Sequence, residues 1–377
     1  MIGKILRPGE PTFSQRSKAP NDLFARHGLH DTPTEELMPR HSTKLALAAL
    51  TTSALAAPAA FAHHSMERFD TSQTVTIEGV VTSYEWSNPH VYIYLEQTTD
   101  DGETVEWEVE GFPPSILRRQ GWSRDMLAVG DALSVTGNPS KIEENTVMFL
   151  TSMEHAAETF DTTSGIMALA SADGLETSAA PSLDGNWTTL LNLSLVSGLG
   201  EERMGLTEAG RAAKEAFDET TMHPGLQCIP FTPPLMMFTP DLKQILSNDE
   251  VMLIGGEFDG AVRTIYLNQD SHDGAEPSVL GHSIGRWEGD ALVIDTALFA
   301  DHRLGGDFGV PSGAQKHLVE RLTLSEDRTG LSYQFEVSDP EFYTETVTGE
   351  VQWVYTPDAV YAPPPCNLEN AQRFIDD

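Results

Sequence analysis

The chain has 377 residues, with 57 acidic against 23 basic side chains, a formal charge of −34, and only two cysteines. That excess of negative charge repels phosphate, and so argues against nucleic acid and anionic lipid as partners. Beyond residue 62 no run approaches the ~18 consecutive apolar residues of a membrane helix, so no integral membrane segment is expected in the mature chain.

Residues 1–37 are polar, mixed in charge and without steady periodicity. Met38 opens a clearer pattern: a basic stretch to Lys44, an apolar or small run from Leu45 to Ala59, and Ala60-Phe61-Ala62 as a small-x-small cleavage site. The run is too short to span a bilayer, so residues 38–62 read as a cleaved secretory signal rather than an anchor. Residues 1–37 are then an upstream artefact or an extended leader. The expected location is the periplasm or the extracellular medium. Removing residues 1–62 leaves 16 basic against 52 acidic residues, a surface suited to a cation-rich medium.

Residues 63–155 read as a small OB-like barrel. Val75–Val81 is a strand with Gly79 as a bulge or bend signal, and Val91–Leu95 is a second. Asp101-Gly102 turns into a third strand in which Val105, Trp107 and Val109 alternate with glutamates. Pro113–Gly121 has proline at its start and glycine at its stop, as a short helix does. Strands at Ala132–Gly137 and Thr146–Thr151 complete five. Residues 156–182, rich in small residues and acids, read as a linker.

Residues 183–377 read as a larger antiparallel β-meander curled into a barrel or half-barrel, with Gly185-Asn-Trp187 suggesting a lipocalin-like opening. Leu206–Phe217 is the one short helix expected, and five prolines from Pro224 to Pro240 forbid regular strand pairing there. Hairpins are expected around Asp259-Gly260, Gly289-Asp290 and Asp327–Gly330.

The stretches His63–Asp70, Gly79-Val-Val, Trp86-Ser-Asn-Pro-His90-Val, Trp107 and Gln120-Gly-Trp122 resemble DUF6152, a family of exported proteins without an assigned activity. The resemblance covers about residues 63–155. Arg263–Leu267, Gly281–Asp290, Val319-Glu-Arg321, Asp339-Pro340 and Cys366-x-x-Glu-Asn370 resemble a second group of exported bacterial proteins. Here Asn268-Gln269-Asp270 stands where that group carries Asp-Gly-Arg.

Cleavage after Ala62 would make His63 the first residue, and its α-amine and imidazole could chelate one metal ion. His64 and His90 could add nitrogens, a set that suits Cu(II). The plainer alternative is a solvated N-terminus, with His90 capping a strand. In the loop between the first two strands, Trp86 with Tyr84 could stack on a ligand ring or simply pack into the barrel end.

In the second region Glu257, Arg263, His282, Arg286, Glu288, Asp295, Glu320 and Arg321 cluster on expected strands. One reading is a pocket in which Arg263, Arg286 and Glu257 hold a ligand, with His282 or Glu320 as catalytic acid or base. The other is a set of cross-strand ion pairs. Cys228 and Cys366, with 137 residues between them, are expected to pair in an oxidising compartment.

No nucleophile elbow, zinc-protease helix, phosphate loop or dinucleotide fingerprint is present. Three functions stay open: an exported binding protein for a small molecule or transition metal; a lyase-, isomerase- or hydratase-type enzyme in the second region; and a structural envelope protein.

Overall fold

The computed structural model describes residues 68–372 except 143, 193, 196–198 and 308. The segment 38–62 expected to be a secretory signal and the pair His63 and His64 lie outside the described residues.

Alternating apolar and polar residues make β1 (Val75–Trp86), β2 (Val91–Thr98) and β3 (Thr104–Glu110) an antiparallel meander. The helix Pro114–Arg119 follows, and Gly121 takes the positive φ (87°) that ends its turn. β4 (Ala132–Pro139) pairs with β1, and β5 (Val147–His155) with β4. β5 then runs parallel to β3, which closes the five strands into the expected OB-like barrel. Its core includes Val81, Ile93, Leu95, Val109, Leu117 and Val135. The irregularity in β1 falls between Val81 and Ser83 rather than at Gly79. Gly79 serves close approach instead: a Cβ there would sit 3.0 Å from the Glu96 carbonyl oxygen.

Part of the segment read as linker is regular. β6 (Glu158–Asp161) extends the sheet through β5, and the helix Thr162–Ala168 follows. The buried Thr162 hydroxyl lies 3.0 Å from the carbonyls of Leu150 and Thr151.

The second barrel has nine strands. β7 (Gly185–Thr189), β8 (Leu242–Ser247), β9 (Val251–Gly256) and β10 (Val262–Tyr266) form one run. β11 (His282–Glu288) and β12 (Ala291–Ala297) form a hairpin. After the small hairpin of β13 (His302–Asp307) and β14 (Val310–Ser312), β15 (His317–Leu324), β16 (Gly330–Ser338) and β17 (Val347–Tyr355) complete the closure. Gly260 and Gly289 take positive φ (70° and 64°) at two of the expected turns. One pair departs from the up-and-down pattern: β10 and β11 are parallel, because the 267–281 connection crosses over the outside of the barrel before re-entering. That crossover matters for the site below.

The expected helix is Glu208–Glu215, capped by the Thr207 hydroxyl, which accepts from the Gly210 N–H. It is not alone: short helices also form at Glu201–Met204, Glu219–Met222, Leu235–Phe238 and Leu368–Gln372. The proline-rich passage makes no barrel strand. Its helix Leu235–Phe238 is buried against the barrel, where Trp353 Nε1 donates to the Met237 carbonyl. Cys228 and Cys366 are bonded, with Cα atoms 6.0 Å apart, so the C-terminal tail is tied to this passage. Among the described residues no helix is long and apolar enough to cross a membrane.

Candidate functional site

Strand parity puts alternate residues of β10, β11, β12 and β15 inside the barrel. Arg263 and Glu320 are both inside and fully buried. The guanidinium grips the carboxylate with two nitrogens, and its Nη1–Oε1 distance is 2.7 Å. Its remaining donors go to Ser283 Oγ at 3.0 Å and Thr296 Oγ1 at 2.6 Å, while the Tyr333 hydroxyl donates to Glu320 at 2.8 Å. Burial works against the Arg263 charge, but the Glu320 carboxylate beside it prevails and holds its pKa above the ordinary value. Burial and the same carboxylate push the Tyr333 phenol well up. Every one of these side chains is buried and hydrogen-bonded to another member of the network. The network is structural.

The four-residue pocket expected around Arg263, Arg286, His282 and Glu320 therefore does not form. Arg286 is one strand-step out of phase: its side chain is 59% exposed and pairs with Glu288 at 3.1 Å, as Arg321 does at 3.0 Å. Glu257 is buried in the contact between the barrels, paired with Arg118 and accepting the Ala362 N–H at 3.1 Å. Burial raises its pKa, a shift that Arg118 opposes. Trp86 is buried against Tyr84, so it packs the barrel end rather than meeting a ligand.

His90 is also buried. Its Nδ1 donates to the Gly111 carbonyl at 2.9 Å, and burial lowers its pKa to about 4, which keeps it neutral. The ring lies in the interior, while His63 and His64, its partners in the expected chelate, lie outside the described residues. Among the described residues, no three His, Cys, Asp or Glu side chains group to hold a metal ion.

The motif segments of the two regions do meet. Asn88 Nδ2 donates to the carbonyls of Phe258 at 2.7 Å and Pro364 at 3.2 Å. Asn370 Nδ2 donates to Ser87 Oγ at 2.8 Å and Glu85 at 3.1 Å. Between them lies a cavity of about 50 Å³, lined by Asn88, His90, His223, Phe231, Asp259 and the disulfide. It suits a few waters rather than a metabolite.

A larger opening lies on the outer face of the second barrel. The crossover loop and β10 wall a cleft of about 480 Å³, lined by Thr264, Tyr266, Gln269, Asp273, Glu276 and His282 among others, with no lysine or arginine among its described lining residues. The Tyr266 and His282 rings stack at 4.9 Å. Behind His282 runs a hydrogen-bonded chain. His282 Nδ1 is 2.8 Å from His272 Nδ1, and His272 Nε2 is 2.9 Å from Asp295 Oδ1. His317 Nε2 is 3.0 Å from Asp295 Oδ2. Partial burial would raise the Asp295 pKa, but the two imidazoles hydrogen-bonded to it hold it below the ordinary value. His282 is lowered, by desolvation first and then by His272.

Of the expected catalytic candidates, then, His282 is partly exposed at this cleft, whereas the Glu320 side chain is fully buried. His272 carries no periodic signal, because it lies on the crossover loop. Asp295 and His317 share the outer face with His282 through the β11–β12 and β12–β15 registers.

Similarity to known proteins bears mainly on the first barrel. A model of a family of unknown function, DUF6152, matches residues 51–149. No curated protein matches the chain. Among solved structures, the mitochondrial single-stranded DNA-binding protein Rim1 of S. cerevisiae is 13% identical, over 22% of this chain and 92% of that one, at a TM-score of 0.18. The protein PriB of Ralstonia solanacearum is 16% identical, over 22% of this chain and 96% of its own, at 0.16. TM-scores this low carry no argument about function.

Proposed function

With residues 51–149 matching DUF6152, we propose that the chain is an exported binding protein, periplasmic or secreted, that holds a small polar molecule in the outer cleft of its second barrel. One observation carries the reading: a cleft of about 480 Å³ that brings an aromatic wall, Tyr266 on His282, together with the carboxylates Asp273 and Glu276. Concave sites with a few convergent polar groups are where small ligands bind. Without a lining cation, the cleft favours neutral or positively charged ligands over carboxylates. The Cys228–Cys366 disulfide supports export, since such bonds persist in oxidising compartments. The second barrel is proposed to represent a second exported family, and its segment Gly281–Asp290 supplies His282.

A thermal-shift series with choline, putrescine, xylose and succinate tests this. Choline, putrescine or xylose should raise Tm, with about 2.7 kcal/mol of stabilisation at one hundred times Kd. Tyr266→Ala should abolish the shift. A shift by succinate alone, or by none of the four probes, would count against the cleft as described.

A further inference from the structure

The hydrogen-bonded chain behind His282 has a direction that proton chemistry dictates. An ionised carboxylate only accepts, so Asp295 Oδ1 must receive the proton of His272 Nε2. A neutral imidazole has one N–H, which leaves His272 Nδ1 bare. The 2.8 Å contact between the two Nδ1 atoms then requires the proton to sit on His282. With Nδ1 protonated, His282 Nε2 carries the free lone pair, and it has no hydrogen-bond partner among the described residues. The ring is held edge-on by His272 and face-on by Tyr266, so this lone pair is fixed at the wall of the cleft.

We propose that His282 Nε2 is a general base that deprotonates a water or ligand hydroxyl in this cleft, with His272 and Asp295 as positioning residues. This rests on the cleft being the ligand site. The substrate class is a neutral or cationic small molecule, because Asp273 and Glu276 line the same space. In the step, the O–H bond breaks and its electron pair stays on oxygen as the nucleophile. The proton bonds to Nε2, and the resulting imidazolium is stabilised through His272 by Asp295. The oxygen adds to the carbonyl carbon of an ester in the cleft, the bond from that carbon to the alcohol oxygen breaks, and the proton passes from Nε2 to the departing oxygen. A base with an imidazole pKa shifted downward stays unprotonated at neutral pH, as the role requires. The titratable groups that surround His282 are His272, Tyr266, Asp295, His317, Asp273 and Glu276.

Two measurements on the full chain test this. Long-range proton–nitrogen NMR reads tautomers in the unaltered protein. His282 should be protonated at Nδ1 and His272 at Nε2, and Asp295→Asn should redistribute both. A His282 protonated at Nε2 overturns the proposal, whatever any variant does. The second measurement is hydrolysis of p-nitrophenyl acetate, an uncharged ester that needs activated water. His282→Gln should lower kcat/KM about 100-fold, the low end for loss of a general base. His272→Gln should lower it about tenfold and change the pH profile, which a merely structural role would not do. Unchanged hydrolysis by His282→Gln overturns the base. If choline or xylose still raises the Tm of that variant, the binding reading survives the failure of the catalytic one.

Discussion

The inner and outer faces of β11, β12 and β15 carry two polar networks, one residue apart in the chain on β11 and β12 and three apart on β15. Inside, Arg263, Glu320, Tyr333, Ser283 and Thr296 are buried and hydrogen-bonded to one another. Outside, His282, His272, Asp295 and His317 form a chain that ends at a cleft. Both are built from ionisable groups at hydrogen-bond distance. They differ in whether a member of the network faces an open cleft. A closed network specifies the barrel, and an open one can act on a ligand.

Breaking the inner network should have the largest effect. Arg263→Met or Glu320→Ala leaves a buried charge unpaired and should cost about 3–5 kcal/mol in chemical denaturation. The double variant Arg263→Met with Glu320→Leu removes both charges and should lose less than either single one. Additive losses would show that the pair's packing, not its charge, matters.

Acid should separate buried from exposed imidazoles. His90 and His302 are buried and lowered to about 4, in each case chiefly by desolvation. Below pH 6.5 the unfolded chain binds protons that the native chain refuses, so stability should fall as pH drops from about 6.5 towards 4. The loss is on the order of 1–3 kcal/mol per histidine. Denaturation midpoints at pH 7 and pH 4.5 read it, and equal midpoints would contradict the neutral buried rings.

Tyr333→Phe tests the inner network more gently. Glu320 keeps its arginine and loses one donor, which should cost about 1 kcal/mol. Smallest in stability is Asp295→Asn on the outer face, at under about 1 kcal/mol because the site is partly solvated. Its effect belongs to the His282 and His272 tautomers instead. A large loss of stability there would make the outer chain structural too, and dissolve the contrast.

Much of the fold was legible in the residues. Alternation in Val75–Val81 and Thr104–Glu110, the proline and glycine around Pro114–Arg119, and the turns at Gly260 and Gly289 are local signals, and they led to two β-barrels. The cysteine pair was legible by elimination, as only two were present. The candidate site was half legible. His282 was picked out, but it was grouped with Arg263 and Glu320, which face the other way. Parity on β10, β11 and β15 separates these residues, yet parity alone cannot say which set points inward when both contain charges.

Local chemistry was enough for strand, turn and disulfide, because each depends on residues a few positions apart or on the pairing of two unique thiols. Closure decided the rest. Only the registers of β11 with β12 and of β12 with β15 bring Asp295 and His317 beside His282. Only the parallel entry of β11 after β10 makes the 267–281 loop cross the outer wall and deliver His272. Those contacts join positions 10 to 35 residues apart through backbone pairing, and no short-range pattern encodes them. The tertiary structure therefore moved the candidate site from the inside of the barrel to its outer face.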